Sequence, residues 1–265
     1  MSHLRLALSG LPGCGKGTMA SWIHRDFPSV RVVTAGQLLR LVAGWATSDF
    51  STTIPTSLVR WDVDKAKEVA RAAASSIETG ALVSDELMEA IVVGSLEGDD
   101  DGTGSPLGNA MLLDGFPRTE HQAVALQASR RPLHRLIHID VDPVHIWETR
   151  IRGRRVHEPS GRTYHTDFAP PKRPGVDDVT GEPLTRRPDD RKEVVFHRFE
   201  VYKKEMGPVF DLYKAAGLLR HVPSPSSPIG YEKVRAIVKE DLDAMHVRLE
   251  REQREQGNIL DRKTL

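Results

Sequence analysis

Residues 10–18 read Gly-Leu-Pro-Gly-Cys-Gly-Lys-Gly-Thr, types and spacing that suit a nucleotide phosphate. Glycines let the loop curl so that successive backbone N–H groups can point at an anion. The apolar run 4–8 before it reads as a strand and residues 19–23 as a helix, whose N-terminus adds partial positive charge. Lys16 supplies a mobile cation for the outer phosphates. The general phosphate-loop pattern G-x-x-x-x-G-K-[ST] holds from Gly10 to Lys16 and then breaks. Gly17 stands where the hydroxyl residue belongs, and Thr18 follows one place later. The bland alternative, a glycine-rich turn with no ligand, fits poorly with a strand on one side and a helix on the other.

A second group of residues points to the same chemistry. Asp114-Gly115-Phe116-Pro117-Arg118 follows the apolar run 110–113, so the Asp114 carboxylate is expected at the C-terminal end of a strand beside the loop. An acid there can orient the water shell of a Mg²⁺ carried by a nucleotide, with no tight direct protein ligand to the metal. Gly115 allows a close approach to the backbone, and Arg118 can clamp a phosphate. Between Arg150 and Arg198 there are ten arginines but two lysines, Lys172 and Lys192. Planar guanidinium forks suit phosphate oxygens, and phosphoryl transfer needs fixed positive charge around the migrating group. Surface ion pairs with Asp177, Asp178, Asp189 and Asp190 account for part of that excess; the doublets Arg154-Arg155 and Arg186-Arg187 are harder to explain that way.

These residues need a scaffold, and the apolar patterning supplies one. Runs at 4–8, 30–33, 110–113, 136–141 and 218–222 are too continuous for strands with one wet face, and helical stretches such as 85–96, 122–129 and 143–150 separate them. The expected fold class is α/β: a doubly wound, five-stranded parallel sheet whose ligands bind beyond the strand C-termini. Two interruptions break the pattern. Residues 34–84 hold helical segments around 59–76, and 154–190 are rich in proline and glycine, poor in apolar residues and without a long helix. The acidic, glycine-rich stretch 97–108 reads as an exposed loop.

Composition narrows the classes of partner. In 265 residues, 37 Lys and Arg balance 37 Asp and Glu, so no global field recruits nucleic acid or an anionic membrane. Cys14 is the single cysteine, which rules out an intrachain disulfide and a cysteine-based zinc cluster, and it reads as a small loop side chain. No stretch approaches the roughly 18 apolar residues of a membrane span. The first strand starts almost at the N-terminus, leaving no room for a cleavable presequence.

On residues 10–18, Asp114 to Arg118, Gly153-Arg154-Arg155-Val156-His157, Asp177-Asp178-Val179-Thr180-Gly181-Glu182 and 187–190, the chain resembles the long-type adenylate kinases from about residue 4 to about 242. That family's loop also reads Gly-x-Pro-Gly-x-Gly-Lys-Gly-Thr. The resemblance implies a P-loop core (1–33, 85–153 and 191–246), an inserted monophosphate-binding domain (34–84), a small lid (154–190) and a charged helical tail (247–265). It implies Mg²⁺-dependent phosphoryl transfer from ATP to AMP, giving two ADP, by a monomer that is cytoplasmic, with a mitochondrial location left open.

The resemblance also implies roles. Gly13, Cys14, Gly15, Lys16, Gly17 and Thr18 would hold the donor phosphates. Arg150 and Arg154 would contact the donor from the lid side, with Tyr164 and His165 against its base or ribose. Arg40, Arg118, Arg187 and Arg198 would grip the acceptor phosphate and the group in flight. Gly115 and Gln122 would face the acceptor adenine, and Ala81, Leu82 and Val83 would close over that nucleotide. The catalytic set is Lys16, Asp114, Arg118, Arg154, Arg187 and Arg198.

Departures from the family pattern are visible. Where the family usually reads Ser-Thr-Gly-Asp-Met-Leu-Arg, this chain has Thr34-Ala35-Gly36-Gln37-Leu38-Leu39-Arg40. Ala35, in the AMP-contacting place, lacks a hydroxyl and Gln37 lacks a carboxylate. Residues 41–60 enlarge the monophosphate domain. At the four places where some relatives carry zinc-binding cysteines stand His157, Ser160, Asp177 and Thr180, a poor zinc set that suits a hydrogen-bond network, so no zinc is expected. Two alternatives stay open. A GTP:AMP phosphotransferase would differ at the donor-base pocket near residues 222–226, and ATP is the expected donor. A non-catalytic nucleotide-binding protein would not need Lys16, Asp114, Arg118, Arg154, Arg187 and Arg198 together.

Overall fold

The computed structural model describes residues 3–50, 54–55, 58, 62–79, 83–97, 110–130, 132–186 and 190–263. The acidic stretch from residue 98 on, together with Ala81, Leu82 and Arg187, lies outside them. Five strands, β1 (Leu4–Ser9), β2 (Val30–Thr34), β3 (Ala110–Asp114), β4 (Arg135–Asp140) and β7 (Leu219–Pro223), form one parallel sheet in the order β2-β3-β1-β4-β7. The five apolar runs of the sequence are these strands, with ends shifted by a residue or two. Every residue of β1 is buried. Its side chains alternate in direction, so that Leu4, Leu6 and Leu8 enter one apolar cluster and Ala7 the other.

Helices cover both faces. Against Leu4, Leu6 and Leu8 pack α1 (Lys16–Asp26) and α8 (Ser227–Lys263); on the opposite face pack α4 (Asp85–Glu97) and α5 (Glu120–Ala128). The helix α7 (Lys192–Ala215) serves both clusters, through Val195 and Phe199 near its start and Met206, Val209 and Tyr213 further on. The chain passes from β1 outward to β2, returns through β3, and crosses to β4 on the other side. That reversal opens a crevice at the C-terminal end of β1, where such sheets bind ligands.

The two interruptions differ in how they are built. In the first, α2 (Ala35–Thr47) and α3 (Val63–Thr79) close a small core of their own around Val42, Trp45, Leu58, Val69 and Ala70, with Ile91 of α4. The helix expected around 59–76 therefore starts later and ends later. The second carries the antiparallel pair β5 (Arg154–His157) and β6 (Arg162–His165), with isolated bridges Val156–Thr185 and Val176–Pro183. Its buried residues include His157, His165 and Asp177, so polar bonds rather than an apolar core organise it. The charged tail continues α8 to Lys263. Among the described residues no helix is long and apolar enough to cross a membrane.

One helix departs from its expected form. Residues 143–150, expected as a plain helix, begin as α6 (Pro143–Ile146), capped by the Asp142 carboxylate on the His145 N–H, and continue as a π-turn over Trp147–Ile151. The Arg152 N–H donates to the Trp147 carbonyl at 3.0 Å, five residues back. At 3.6 residues per turn Ile146 and Ile151 would stand about 140° apart. The wider turn brings both against Gly13: a β-carbon there would meet Ile151 Cδ1 at 2.8 Å and Ile146 Cγ2 at 3.0 Å.

Candidate phosphate-transfer site

The loop between β1 and α1 is shaped by where a side chain cannot fit. Gly15 caps α1 with φ 98°, in the left-handed region, and a β-carbon on it would press on Ser227 Oγ and Arg150 Nη1. Cys14 is fully buried beneath the loop. Lys16 opens α1 and curls back, donating from Nζ to the carbonyls of Gly10 at 2.7 Å and Leu11 at 3.1 Å. Arg150, delivered by the π-turn, donates to the Cys14 carbonyl and reaches Ser224 O at 3.5 Å. It thus links the loop to the segment 222–226 at the end of β7. Thr18 lies exposed on α1.

Parallel register brings the second motif alongside. Leu8 of β1 and Thr34 of β2 both pair with Asp114, the last residue of β3. A β-carbon on Gly17 would stand 3.9 Å from Asp114 Oδ2. Burial pushes the Asp114 carboxyl above its ordinary value, while Lys16 and Arg118 pull it down. Arg118 folds its Nε onto the Gly115 carbonyl at 2.8 Å. Solvent reaches its side chain, yet the protein packed around it disfavours its charge and lowers its pKa, opposed by Asp114 and reinforced by Arg198 on α7. Asp114 therefore feels the charges of Lys16 and Arg118, and Arg118 that of Arg198, at one end of the sheet.

Gln122 occupies a different environment from a simple cleft residue. Thr119 caps α5 by accepting from the Gln122 N–H at 3.3 Å. The Gln122 side chain is buried; its Oε1 accepts from the Arg118 N–H at 2.8 Å and its Nε2 donates to Asp85 Oδ1 at 2.7 Å. Asp85, the first residue of α4, also accepts from the Thr119 hydroxyl at 2.8 Å. Ala35 is buried at the start of α2 and Val83 half-buried just before α4. Arg40 is exposed on α2, its Nη1 3.6 Å from where a Gly36 β-carbon would lie.

In the second insertion the charges pair internally. Arg154 forms an ion pair with the fully buried Asp190 carboxylate, Nε to Oδ2 at 2.9 Å, so it does find one of the aspartates named as surface partners, though in a buried pair and not a surface one. Arg162 grips Asp177 with both prongs of its fork, at 2.8 and 2.7 Å. Asp177 also accepts from the Tyr164 hydroxyl, the Val179 and Thr180 N–H groups and the Thr180 hydroxyl. His157 completes the network, with Ser160 Oγ 2.7 Å from Nδ1 and Thr180 Oγ1 3.3 Å from Nε2. The Tyr164 hydroxyl is thus engaged inside this unit. His165 is buried, its Nδ1 accepting from the Asp167 and Phe168 N–H groups.

A family model for adenylate kinase matches residues 48–218. The adenylate kinases of Coxiella burnetii strains Dugway 5J108-111, RSA 331 / Henzerling II and CbuG_Q212 are each 42% identical over 212 residues, 79% of this chain and 79% of theirs. The chain belongs to the adenylate kinase family. It is a phosphotransferase acting as a nucleoside monophosphate kinase, on the α/β P-loop fold expected from the sequence.

In this adenylate kinase family member, sequence reasoning missed several residues that hold the site. Asp85 fixes Gln122, Ser227 presses on the loop at Gly15, and the hydroxyl of Tyr202, on the helix α7 that carries Arg198, lies 3.5 Å from His138 Nδ1. Serine or aspartate before a helix reads as a cap, and a tyrosine in an amphipathic helix as core. Neither type signals the distant partner it finds.

Proposed function

We propose that the chain catalyses reversible transfer of the terminal phosphoryl group of ATP to AMP, giving two ADP, with Mg²⁺ carried by ATP. The observation that carries this reading is Asp114 at the C-terminal end of β3 beside Gly17, with the charges of Lys16 and Arg118 both acting on its carboxylate. Asp114 fits the metal: it is a half-buried hard-oxygen donor whose charge is disfavoured by its surroundings and would be relieved by a divalent cation. Bound with ATP, the cation would supply charge neutralisation on the phosphoryl oxygens, its water shell held by Asp114.

The remaining work falls to the chain's own groups. Lys16 leaves the Gly10 and Leu11 carbonyls for the outer donor phosphates. Gly13 to Thr18 offer backbone N–H groups, and Arg150 steadies the loop through Cys14. Arg118 and Arg198, with Arg40 and Arg187, hold the acceptor phosphate in line with the donor. Arg154, once released from Asp190, adds positive charge from the lid as closure excludes water. Tyr164 and His165 would approach the donor base or ribose, and Ala35, Ala81, Leu82, Val83, Gly115 and Gln122 the acceptor nucleoside. No zinc, nucleic acid or membrane is required, and the reading is of a cytoplasmic monomer.

The test is a donor–acceptor matrix: ATP, GTP, CTP and UTP against AMP, GMP, CMP and UMP, with Mg²⁺ or excess chelator. ATP with AMP should dominate and vanish on chelation. Preference for GTP, or activity indifferent to chelation, would overturn the reading.

A further inference from the structure

We infer that Asp85 is a positioning residue for acceptor-base choice, because it locks the orientation of the Gln122 side-chain amide. The inference rests on the proposed reading in which Gln122 faces the acceptor base. A primary amide carries an acceptor on one side and a donor on the other, and a half-turn about its last bond exchanges them. Adenine presents a donor, its 6-amino group, beside an acceptor, N1. Hypoxanthine and guanine present the reverse, a 6-oxo acceptor beside an N1–H donor. A freely turning glutamine could read either edge.

Gln122 is not free to turn. Its Oε1 meets the Arg118 N–H at 2.8 Å, a group that can only donate. Its Nε2 meets Asp85 Oδ1 at 2.7 Å, and an ionised carboxylate can only accept. A flipped amide would set N–H against N–H and oxygen against carboxylate in a buried place, where each unmet group is costly. Asp85 is itself held, since its other oxygen accepts from the Thr119 hydroxyl at 2.8 Å. The fixed amide keeps one N–H and one oxygen lone pair outside the bonds made by described residues. In the pose that the reading requires, the remaining N–H meets adenine N1 and the remaining lone pair meets the 6-amino group, and a 6-oxo base in that pose would set donor against donor and acceptor against acceptor. Discrimination therefore comes from an element that penalises the wrong base as well as one that favours the right one.

The test compares kcat/KM for AMP and for inosine monophosphate, with ATP as donor, in the unmodified protein and in Asp85→Ala, Asp85→Glu and Gln122→Ala. Asp85→Ala should lower the AMP preference at least about tenfold while leaving the KM for ATP unchanged, and Asp85→Glu should restore most of the preference. Equal losses on both acceptors would mark Asp85 as merely structural and overturn the lock. If Gln122→Ala leaves the preference intact, the acceptor-base reading of Gln122 itself fails. If Gln122→Ala abolishes the preference and Asp85→Ala does not, only the lock fails. A measurement without substitution guards against a variant that does not fold: in the unmodified protein, one of the two Nε2 protons of Gln122 should be protected from solvent exchange, and fast, equal exchange of both would overturn the inference.

Discussion

Gly17 leaves the Asp114 carboxylate open: a β-carbon on Gly17 would sit 3.9 Å from Asp114 Oδ2, in ordinary contact with it. The hydroxyl residue of the general phosphate-loop pattern would fill that gap. Gly17→Ala should therefore fold, with stability equal or higher by up to about 1 kcal/mol because alanine favours a helix more than glycine does. It should nevertheless lower kcat/KM for MgATP by about tenfold, since the methyl group intrudes where the metal's water shell must meet Asp114. Calorimetry and steady-state kinetics together check this; unchanged kinetics would mean that the gap is incidental.

Lys16→Met keeps the apolar stem and removes the ammonium now held on the Gly10 and Leu11 carbonyls. An electrostatic contact made more strongly in the transition state should be lost mainly from kcat, by about 100-fold or more. Rapid-quench turnover measurements decide it, and near-normal turnover would remove the loop lysine from the mechanism.

Asp177 organises the second insertion, and its carboxyl is held far below the usual carboxylate range, first by Arg162, then by the Thr180 N–H, the Tyr164 hydroxyl and the Val179 N–H. Because its folded value lies below the unfolded value of about 3.9, this stabilisation is complete above that value and drains away as pH falls beneath it. Amide protection in 154–186 should be level from pH 8 to about 5 and fall at lower pH. Asp177→Asn should lose protection already at pH 7. Elemental analysis of the purified protein should find no stoichiometric zinc, and one tightly held zinc per chain would contradict the hydrogen-bonded lid.

The second insertion has few apolar anchors, so ligand charge should close it as a lid. Two adenosines joined by five phosphates should protect amides across 154–186 and bind far more tightly than either nucleotide alone, since one linked molecule avoids a second loss of translational freedom. Adenylate kinase is a known instance of such closure; the residues named here are what the experiment tests. Lid exchange unchanged at saturation would count against a two-nucleotide site.

In the first insertion, α2 ends with Asp49 and Phe50 both at positive φ, 53° and 58°. The Phe50 N–H donates to Trp45 O at 3.1 Å and the Asp49 N–H to Ala46 O at 3.2 Å, while the Phe50 ring meets Trp45 edge-on at 4.8 Å. This is a Schellman cap with its hydrophobic contact, built without glycine. Asp49→Gly should raise stability by about 0.5 kcal/mol, and Asp49→Val should lower it by about 1–2 kcal/mol, shifting Tm by a few degrees in opposite senses. Equal effects in a thermal melt would show that the backbone at 49 carries no strain.

His138 illustrates a pH effect that only packing reveals. Burial, with His221 and Lys16 nearby, lowers its pKa to about 4, while Asp140 opposes the shift. The folded state refuses a proton that the unfolded chain accepts near 6.5, so stability should decline as pH falls from about 6.5 to about 4. His138→Gln should flatten Tm against pH over that window. An unchanged slope would assign the decline to other groups.

The sequence by itself determined the fold class, the five strands and the two motifs that meet at the crevice. Those signals are local: an apolar run long enough for a buried strand, glycines spaced for a loop, an acid at a strand end. They stay legible because each obeys a rule set within a few residues. Tertiary structure alone decided the rest. The Gln122 amide is fixed by Asp85, 37 residues away, Arg154 is held by Asp190, 36 away, and Arg150 reaches the Cys14 carbonyl across 136. The π-turn that faces Ile146 and Ile151 toward Gly13 has no signature in the residues 147–151 themselves. Such pairings depend on which surfaces the sheet brings within hydrogen-bond reach, a relation of position in space that spacing along the chain does not encode.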